Sequence, residues 1–400
     1  MFLLKKIKGK YLTAVFVLCI ISLMFVLSAI PFAKAISAGL QLAPEGTFFS
    51  VKEAEKSFNH NFAFRNQLMN LNGRIEKTIR KRQIKDWYTQ DNGGIVYVVE
   101  KYDTTQMSNA IVEFNNQLKK ELGKEISYIQ FPFQIDEFDK QLPKGIEDYS
   151  NENTNELLQR LRKNNIDVLD LRIPLHQEKT DYYSCFFKTD HHWKPETAFW
   201  AFQKIQEYFK NEDPSFCVDS KLTNFDNYSA RVFDNFIGSE GRSTSPSFCG
   251  YERFLAISPK FNTNLTVFDS EDAILSQGNA SETLLHDKFL KYKSWDYCDE
   301  YDYYLGMVDR FCRIQNNNFD NKNSGINING KKIFIIKDSF AHPMIPFFAY
   351  GYRETTFADL RSFQGNLMDE IREANPDKIF VMYNPGAYCS GNNSLFEFLK

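Results

Sequence analysis

Helical and strand-like hydrophobic patterns alternate along the middle of the chain. Apolar residues recur every three to four positions over residues 104–122 and form a strand-like run over 126–134. The same succession returns with a helical segment at 153–165 and an apolar run at 166–171. Helices alternating with buried strands predict a parallel β-sheet with crossover helices, which is an α/β fold.

Two of the predicted helices carry start signals. Asn153 is followed three residues later by Glu156, which is the spacing of a capping box. Pro195 precedes a stripe of apolar residues and suits the first turn of a helix. We therefore expect helices to begin at Asn153 and Pro195.

Three more strands are predicted near the C-terminus. Residues 331–340, 353–363 and 376–386 each contain a short apolar run, and helix-compatible sequence separates them. The stretch from about 211 to 330 has no regular period and is rich in Asn, Asp, Ser, Tyr and Phe. It is interpreted as a large irregular insertion of turns and short strands within one sheet.

The N-terminus has the pattern of a membrane segment. Tyr11 to Ala33 carry no charge, and lysines precede them, which predicts a transmembrane helix with its N-terminus in the cytoplasm and the rest of the chain outside. The sequence AKA ending at Ala35 resembles a signal-peptidase site, so a secreted form is the alternative to the favoured anchor. The predicted domains are the stub and anchor at 1–35, a juxtamembrane helical region with a short strand at 36–100, and the α/β domain at 101–400.

Composition narrows the function only slightly. The formal net charge of −3 does not favour nucleic-acid binding by bulk electrostatics. Cys19 lies in the apolar segment, and the other six cysteines are scattered without CxxC spacing, which argues against a zinc knuckle. Disulfides and free buried thiols both remain open for these six.

Ser339 is a candidate nucleophile. It follows a predicted strand and precedes helix-compatible sequence, so its hydroxyl is expected at the carboxyl edge of the sheet, where α/β proteins bind ligands. Free amide groups of the following helix can stabilise an oxyanion there. A helix-capping role for Ser339 is the alternative.

The segment Asp190-His191-His192 supplies the groups that a serine nucleophile needs. Asp190 and His192 are two residues apart, so both side chains can face Ser339 while His191 points away. Trp193 is expected to shield the imidazole from water. Two alternatives stay open, a metal site on Asp190, His191 and His192, as in a metal-dependent phosphoesterase, and a purely structural helix start.

Several short motifs occur together in one order. They are TDHHW, GSEGRSTS, SPKFNTN, IIKDSF and ADLRSF. With these motifs the chain resembles the DHHW family of bacterial cell-surface proteins, which is similar to AlgX/AlgJ-type SGNH-hydrolase-like proteins of exopolysaccharide O-acetylation. The resemblance covers about residues 50–390. It implies a flavodoxin-like, three-layer SGNH fold and a triad of Ser339, His192 and Asp190.

The chain departs from the SGNH pattern in two places. Lys337 stands where the usual GDS block has glycine, and no histidine follows His342, so the C-terminal Asp-x-x-His is absent. Asp190 and His192 must therefore take the place of this Asp-x-x-His pair.

Three further residues are substrate-binding or oxyanion candidates. Arg361 is expected either to act on the substrate, by binding an anionic sugar or stabilising charge near the acyl group, or to form a structural pair with Asp359. Asn384 is expected to donate to the oxyanion or to form a turn. Arg242, in GSEGRSTS, is a weaker candidate for substrate contact.

These observations predict a cell-surface O-acyltransferase or esterase that acts on a polysaccharide and needs neither a cofactor nor a metal. An acyl-donor membrane protein is a conceivable partner, and nucleic acid is not expected. The competing function is that of a non-catalytic glycan-binding or assembly protein on the same fold.

Overall fold

A computed structural model describes residues 2–42, 49–62, 64–178, 181–291, 294–296, 299–306, 310–321 and 325–399. The chain divides after Ile79 into two compact units. The first unit is helical. Its helices are α1 (Phe2–Gln41), α2 (Val51–Asn61) and α3 (Arg65–Thr78).

Within α1, the stretch Ala14–Gln41 is long and apolar enough to cross a membrane. At 1.5 Å per residue its 28 residues extend for about 42 Å, which exceeds the ~30 Å of a bilayer's hydrocarbon core. The predicted N-terminal apolar helix is therefore confirmed.

The second unit contains helices and strands in alternation. Its helices are α4 (Thr105–Leu122), α5 (Ser150–Lys163), α6 (Arg172–Glu178), α7 (Pro195–Glu212), α8 (Ser239–Thr244), α9 (Pro246–Cys249), α10 (Ala280–Thr283), α11 (Ile345–Gly351) and α12 (Leu367–Ala374). Its strands are β1 (Gln83–Ile84), β2 (Trp87–Thr89), β3 (Ile95–Val96), β4 (Ile126–Gln130), β5 (Asp167–Asp170), β6 (Tyr228–Phe236), β7 (Glu252–Pro259), β8 (Leu265–Phe268), β9 (Ile274–Gly278), β10 (Phe311–Asn316), β11 (Asn329–Lys337), β12 (Tyr352–Ala358) and β13 (Lys378–Tyr383).

The main sheet has eight described strands in the order β5-β4-β13-β11-β12-β10-β8-β9. The five strands from β5 to β12 are parallel, and β10, β8 and β9 continue the sheet in antiparallel pairing. The chain leaves β11 to form β12 on one side and then returns to form β13 on the other. Reversals of this kind open a crevice at the carboxyl ends of the strands.

Helices cover both faces of this sheet. Side chains alternate in direction along each strand, so each strand contributes to the core on both faces. In β11, Ile333 and Ile335 pack into the core shared with α7 and α11. Phe334 and Ile336 pack into the opposite core, shared with α4, α5 and α12. The predicted three-layer α/β architecture is therefore confirmed.

Helix α5 begins at Ser150, three residues before the predicted start. Asp148 accepts hydrogen bonds from the Ser150 amide and hydroxyl at this end. Asn153 lies inside the helix, where its side chain binds the backbone of Glu100, Tyr102 and Tyr388. The predicted capping box is therefore wrong, because Asn153 makes long-range contacts instead.

The segment predicted as irregular contains more regular structure than its composition suggests. Strands β6 and β7 form an antiparallel ribbon, while β8, β9 and β10 extend the main sheet. In the predicted strand at 93–100, only Ile95–Val96 is a strand, and it pairs with β2 outside the main sheet.

Candidate active site

Polar residues follow three neighbouring parallel strands. Asp338 and Ser339 follow β11, Asp359 follows β12, and Asn384 follows β13. Since β13, β11 and β12 are adjacent in the sheet, their carboxyl ends meet at one edge. Ser339 is half-buried, whereas Asp338 and Asp359 are buried.

Asp338 fixes the turn that carries Ser339. Its Oδ1 accepts from the Phe340 amide at 2.9 Å, and its Oδ2 accepts from the amide and Nδ2 of Asn384 at 2.8 and 2.7 Å. Burial raises the pKa of Asp338, although these donors oppose the rise. The carboxyl therefore ties the β11 turn to the end of β13.

The segment that carries Asp190 and His192 is held as a tight loop before α7. Gln134 donates to the carbonyls of Phe187 and Asp190, both at 2.7 Å. The loop is closed by pairing between Phe186 and Trp193 and by a bond from the Phe187 amide to the His192 carbonyl. It therefore presents its histidines from a fixed backbone.

Asp190, His192 and Ser339 form one continuous hydrogen-bonded line. The Nδ1 of His192 lies 2.5 Å from Asp190 Oδ1, and its Nε2 lies 2.8 Å from Ser339 Oγ. With the Nδ1 proton donated to Asp190, the Nε2 lone pair faces the serine hydroxyl. This is the tautomer in which an imidazole acts as a base toward serine.

A loop from the insertion holds the other oxygen of Asp190. The backbone amide of Ser239 donates to Asp190 Oδ2 at 2.9 Å. Gly238 makes the approach possible, because a Cβ atom there would lie 2.1 Å from the Cβ of Asp190. The motif GSEGRSTS thus supports the aspartate, a role that its sequence alone did not indicate.

The charges of the two buried groups are set by their surroundings. Burial raises the pKa of Asp190, but His192 and His191 outweigh it and keep that pKa well below its usual range. Burial and then His191 lower the pKa of His192 to about 4, against the opposite effect of Asp190. Near neutral pH the line therefore holds a carboxylate and a neutral imidazole.

Tyr301, rather than Trp193, is the described aromatic ring that stacks on His192. Tyr301 stacks on His192 with ring centroids 4.1 Å apart and an interplanar angle of 16°. Trp193 is fully buried, packs against Phe131, and donates to the carbonyl of Phe340 at 2.8 Å. Tyr301 carried no sequence signal, since it lies in the irregular segment.

Arg242 has a structural position rather than a substrate-facing one. Its guanidinium binds Asp299 Oδ2 at 2.8 Å and the Ile237 carbonyl at 3.1 Å, with its side chain 20% exposed. It therefore fastens the loop that supports Asp190.

Arg361 forms the structural pair that was one of its two expected roles. Its Nε and Nη2 donate to Asp359 at 2.9 and 2.6 Å. The side chain is 41% exposed, and among the described residues no acceptor binds its Nη1. Arg361 therefore remains within reach of a ligand at the sheet edge.

Lys337, which replaces the usual glycine, is fully buried. Its Nζ lies 2.8 Å from His342 Nε2 and 3.6 Å from Asp359 Oδ2. Burial and then Lys337 lower the pKa of His342 well below its usual range, so the imidazole is neutral and accepts from the ammonium. The lysine thus links the end of β11 to that of β12.

Asp190, His191 and His192 offer three potential metal-ligand atoms within 4.8 Å of one another. Both nitrogens of His192 already have partners, and Glu240 lies 3.0 Å from Nδ1 of His191. A metal bound through these atoms would have to displace Asp190, Ser339 or Glu240. The arrangement fits a proton-transfer system better than a metal site.

The chain resembles known proteins in sequence and in fold. Residues 96–220 match the family model described as the SGNH hydrolase-like domain of the acetyltransferase AlgX. No curated protein matches the sequence.

Solved structures share the fold over most of the chain. PatB1 from Bacillus cereus is 20% identical with a TM-score of 0.61, over 78% of this chain and 99% of PatB1. The same protein with a sulfonyl adduct gives a TM-score of 0.60. A DHHW family protein from Eubacterium siraeum is 17% identical with a TM-score of 0.57, over 79% of this chain and 97% of that protein. Residues 96–220 therefore resemble an SGNH-hydrolase-like domain, the chain shares the fold of these solved structures, and the resemblance indicated by its motifs is confirmed.

Proposed function

We propose that this protein is a serine-dependent O-acyltransferase or esterase. The hydrogen-bonded line from Asp190 through His192 to Ser339 carries the proposal. The match of residues 96–220 to an acetyltransferase domain supports acetyl as the transferred group.

The reaction begins when Ser339 Oγ attacks the carbonyl carbon of an acyl ester. His192 Nε2 takes the hydroxyl proton as the new C–O bond forms, and Asp190 stabilises the resulting imidazolium. His192 then returns the proton to the departing alcohol, which leaves an acyl-serine. A sugar hydroxyl or water next loses its proton to His192 and attacks the acyl carbon. The bond from that carbon to Ser339 Oγ breaks, and His192 returns the proton to Oγ, which restores free Ser339.

The negative oxygen of the tetrahedral intermediate needs donors beside Ser339. The Ser339 amide stands at the start of the short helix Ser339–Ala341, and no described residue accepts its hydrogen. Asn384 gives one Nδ2 hydrogen to Asp338, and no described acceptor takes the second. We assign the oxyanion position to these two donors, since preorganised donors of this kind account for a large part of acyl-transfer catalysis.

A polysaccharide at the cell surface is the proposed acceptor. Arg361 provides a cation at the same edge of the sheet for an anionic sugar or for charge near the acyl group. Helix α1 would anchor the chain with its N-terminus in the cytoplasm and residues 49–400 outside, where a membrane protein could deliver the acyl group.

Ester hydrolysis and active-site labelling test the proposal. Full-length protein in detergent is expected to hydrolyse p-nitrophenyl acetate and to react with a sulfonyl fluoride, and PatB1 has been solved with a sulfonyl adduct. Ser339→Ala and His192→Ala should lose both properties while remaining folded. Ser362→Ala is the matched control, since this serine follows the neighbouring strand β12 and, among the described residues, its hydroxyl binds the Asp359 carbonyl alone.

Each alternative function has its own outcome. Wild-type protein that neither turns over the ester nor reacts with the probe would favour a non-catalytic glycan-binding protein. Activity that survives in Ser339→Ala but disappears on treatment with a chelator would favour a metal-dependent mechanism. We expect chelation to leave the activity unchanged.

A further inference from the structure

His191 and His192 lie side by side next to the same carboxylate. Their ring centroids are 3.9 Å apart, and their Nδ1 atoms lie 3.9 and 2.5 Å from Asp190 Oδ1, respectively. Two imidazolium rings at this distance repel each other, so one ring is expected to be charged while the other is neutral. The location of the proton decides whether His192 can act as a base.

Glu240 makes the two rings unequal. It is 1% exposed, and its Oε1 lies 3.0 Å from His191 Nδ1. Nε2 of His192, by contrast, faces the neutral Ser339 hydroxyl. Because a buried carboxylate is costly without a cationic partner, Glu240 favours a proton on His191.

We propose that His191 and Glu240 form a positioning pair that keeps a proton on His191 and thereby leaves His192 neutral toward Ser339. This inference rests on the proposed function and adds a device that sets the state of its base. Neither residue needs to touch the substrate. The pair acts through the ring of His192.

The other charged groups around the rings are consistent with this assignment. Burial opposes the charge on His191, but Asp190 and Glu240 raise its pKa to about 9, and Asp299 acts in the same direction. Asp299 also raises the pKa of His192 to a small extent. The Arg242 guanidinium interacts electrostatically with Asp190, and the His342 imidazole interacts electrostatically with His192.

Imidazole NMR titration tests the inference without relying on turnover. In full-length ¹⁵N-histidine-labelled protein in detergent, His191 should be protonated and His192 neutral at pH 7, with signals assigned through His191→Gln. In Glu240→Gln, the pKa of His191 should fall and that of His192 should rise. A wild-type His192 that titrates above His191, or a His192 pKa that Glu240→Gln leaves unchanged, would overturn the inference.

The pH dependence of kcat/KM is the second readout. The acidic limb should lie near pH 4 in the wild type, and Glu240→Gln should move it upward by about two pH units, toward the ordinary histidine pKa of about 6.5. Glu240→Asp keeps a carboxylate at this position, so its acidic limb should lie between those of the wild type and Glu240→Gln.

Glu252→Gln is the matched control for a purely structural effect. Glu252 holds the same loop through the amides of Lys188 and Thr189 but binds neither histidine. Glu252→Gln should lower the free energy of unfolding without moving the acidic limb of the kcat/KM profile. A shift of this limb as large as that in Glu240→Gln would contradict the inference. If no Ser339-dependent turnover exists while the NMR titrations behave as expected, the proposed function fails and the proton assignment stands.

Discussion

Replacing Gly238 with alanine would test how closely the insertion supports Asp190. The backbone of Gly238 has φ −75° and ψ −175°, which alanine adopts without strain. An added Cβ would lie 2.1 Å from Asp190 Cβ and 2.4 Å from Asp190 Oδ2, whereas ordinary contacts begin at 3.4 Å. The Asp190 side chain or the loop must therefore move by about 1.3 Å, the difference between 3.4 Å and the shorter distance.

A displacement of this size is expected to affect both activity and stability. Misplacement of a catalytic group by 1 Å can lower the rate by about 10²-fold. Inserting a methyl group into a packed site typically costs about 1–3 kcal/mol. We therefore expect kcat/KM for p-nitrophenyl acetate to fall about 100-fold and the free energy of unfolding to fall by about 1–3 kcal/mol.

Ester hydrolysis and urea denaturation of Gly238→Ala measure the two effects. Gly391→Ala is the control, since no atom of the described residues, its two chain neighbours aside, lies within 4 Å of a Cβ at that position, and it should leave both quantities unchanged. Wild-type activity and stability in Gly238→Ala would refute the close packing of this loop on Asp190.

Three other predictions concern a buried lysine, a buried acid and the membrane topology. Lys337→Met removes the buried ammonium from Asp359 and should lower the free energy of unfolding by about 3 kcal/mol in urea, whereas the half-exposed Lys331 should tolerate Met with a loss below about 1 kcal/mol. Burial raises the pKa of Glu300 from 4.5 to about 7, so the folded chain keeps a proton that the unfolded chain loses, and stability falls as the pH rises through this window. Glu300→Gln should therefore leave stability unchanged near pH 4 and raise it by up to about 3 kcal/mol near pH 8, as measured by urea denaturation at both pH values. Protease added to intact cells should digest the part of the chain that follows α1.

These predictions would be contradicted by distinct results. Equal losses from the two lysine substitutions would mean that the Lys337 ammonium contributes no more than a surface charge. A Glu300→Gln effect of the same size at both pH values would exclude proton uptake as its cause. Protection of the domain in intact cells, with digestion only after lysis, would place it on the cytoplasmic side.

The sequence predicted the parts of the fold that have strong local patterns. Burial against neighbouring layers produces the apolar runs of β11, β12 and β13 and the helical period of α4 and α7. These patterns can therefore be predicted without knowledge of distant contacts. Asp190 and His192 were recognisable as a pair because they are near one another in sequence, and Ser339 because it follows a strand.

Contacts between distant segments were not predictable in the same way. The support of Asp190 by Gly238 and Ser239, the stacking of Tyr301 and the pairing of His191 with Glu240 join segments that have no common local pattern. Asn153 shows the same limitation, since its sequence spacing matched a helix cap while its side chain binds the distant backbone of Tyr388. Local propensity is overridden where tertiary partners compete for the same polar group.

The position of β13 has a consequence for the synthesis of the protein. This strand lies between β4 and β11, and it comprises residues Lys378–Tyr383 near the end of the chain. A nascent chain that stops before this strand cannot join the two halves of the parallel sheet, and the turn that bears Ser339 lacks Asn384. A chain truncated before β13 is therefore expected to lack the acyl-transfer activity proposed above, because the parallel sheet is not joined and Asn384 is missing beside Ser339.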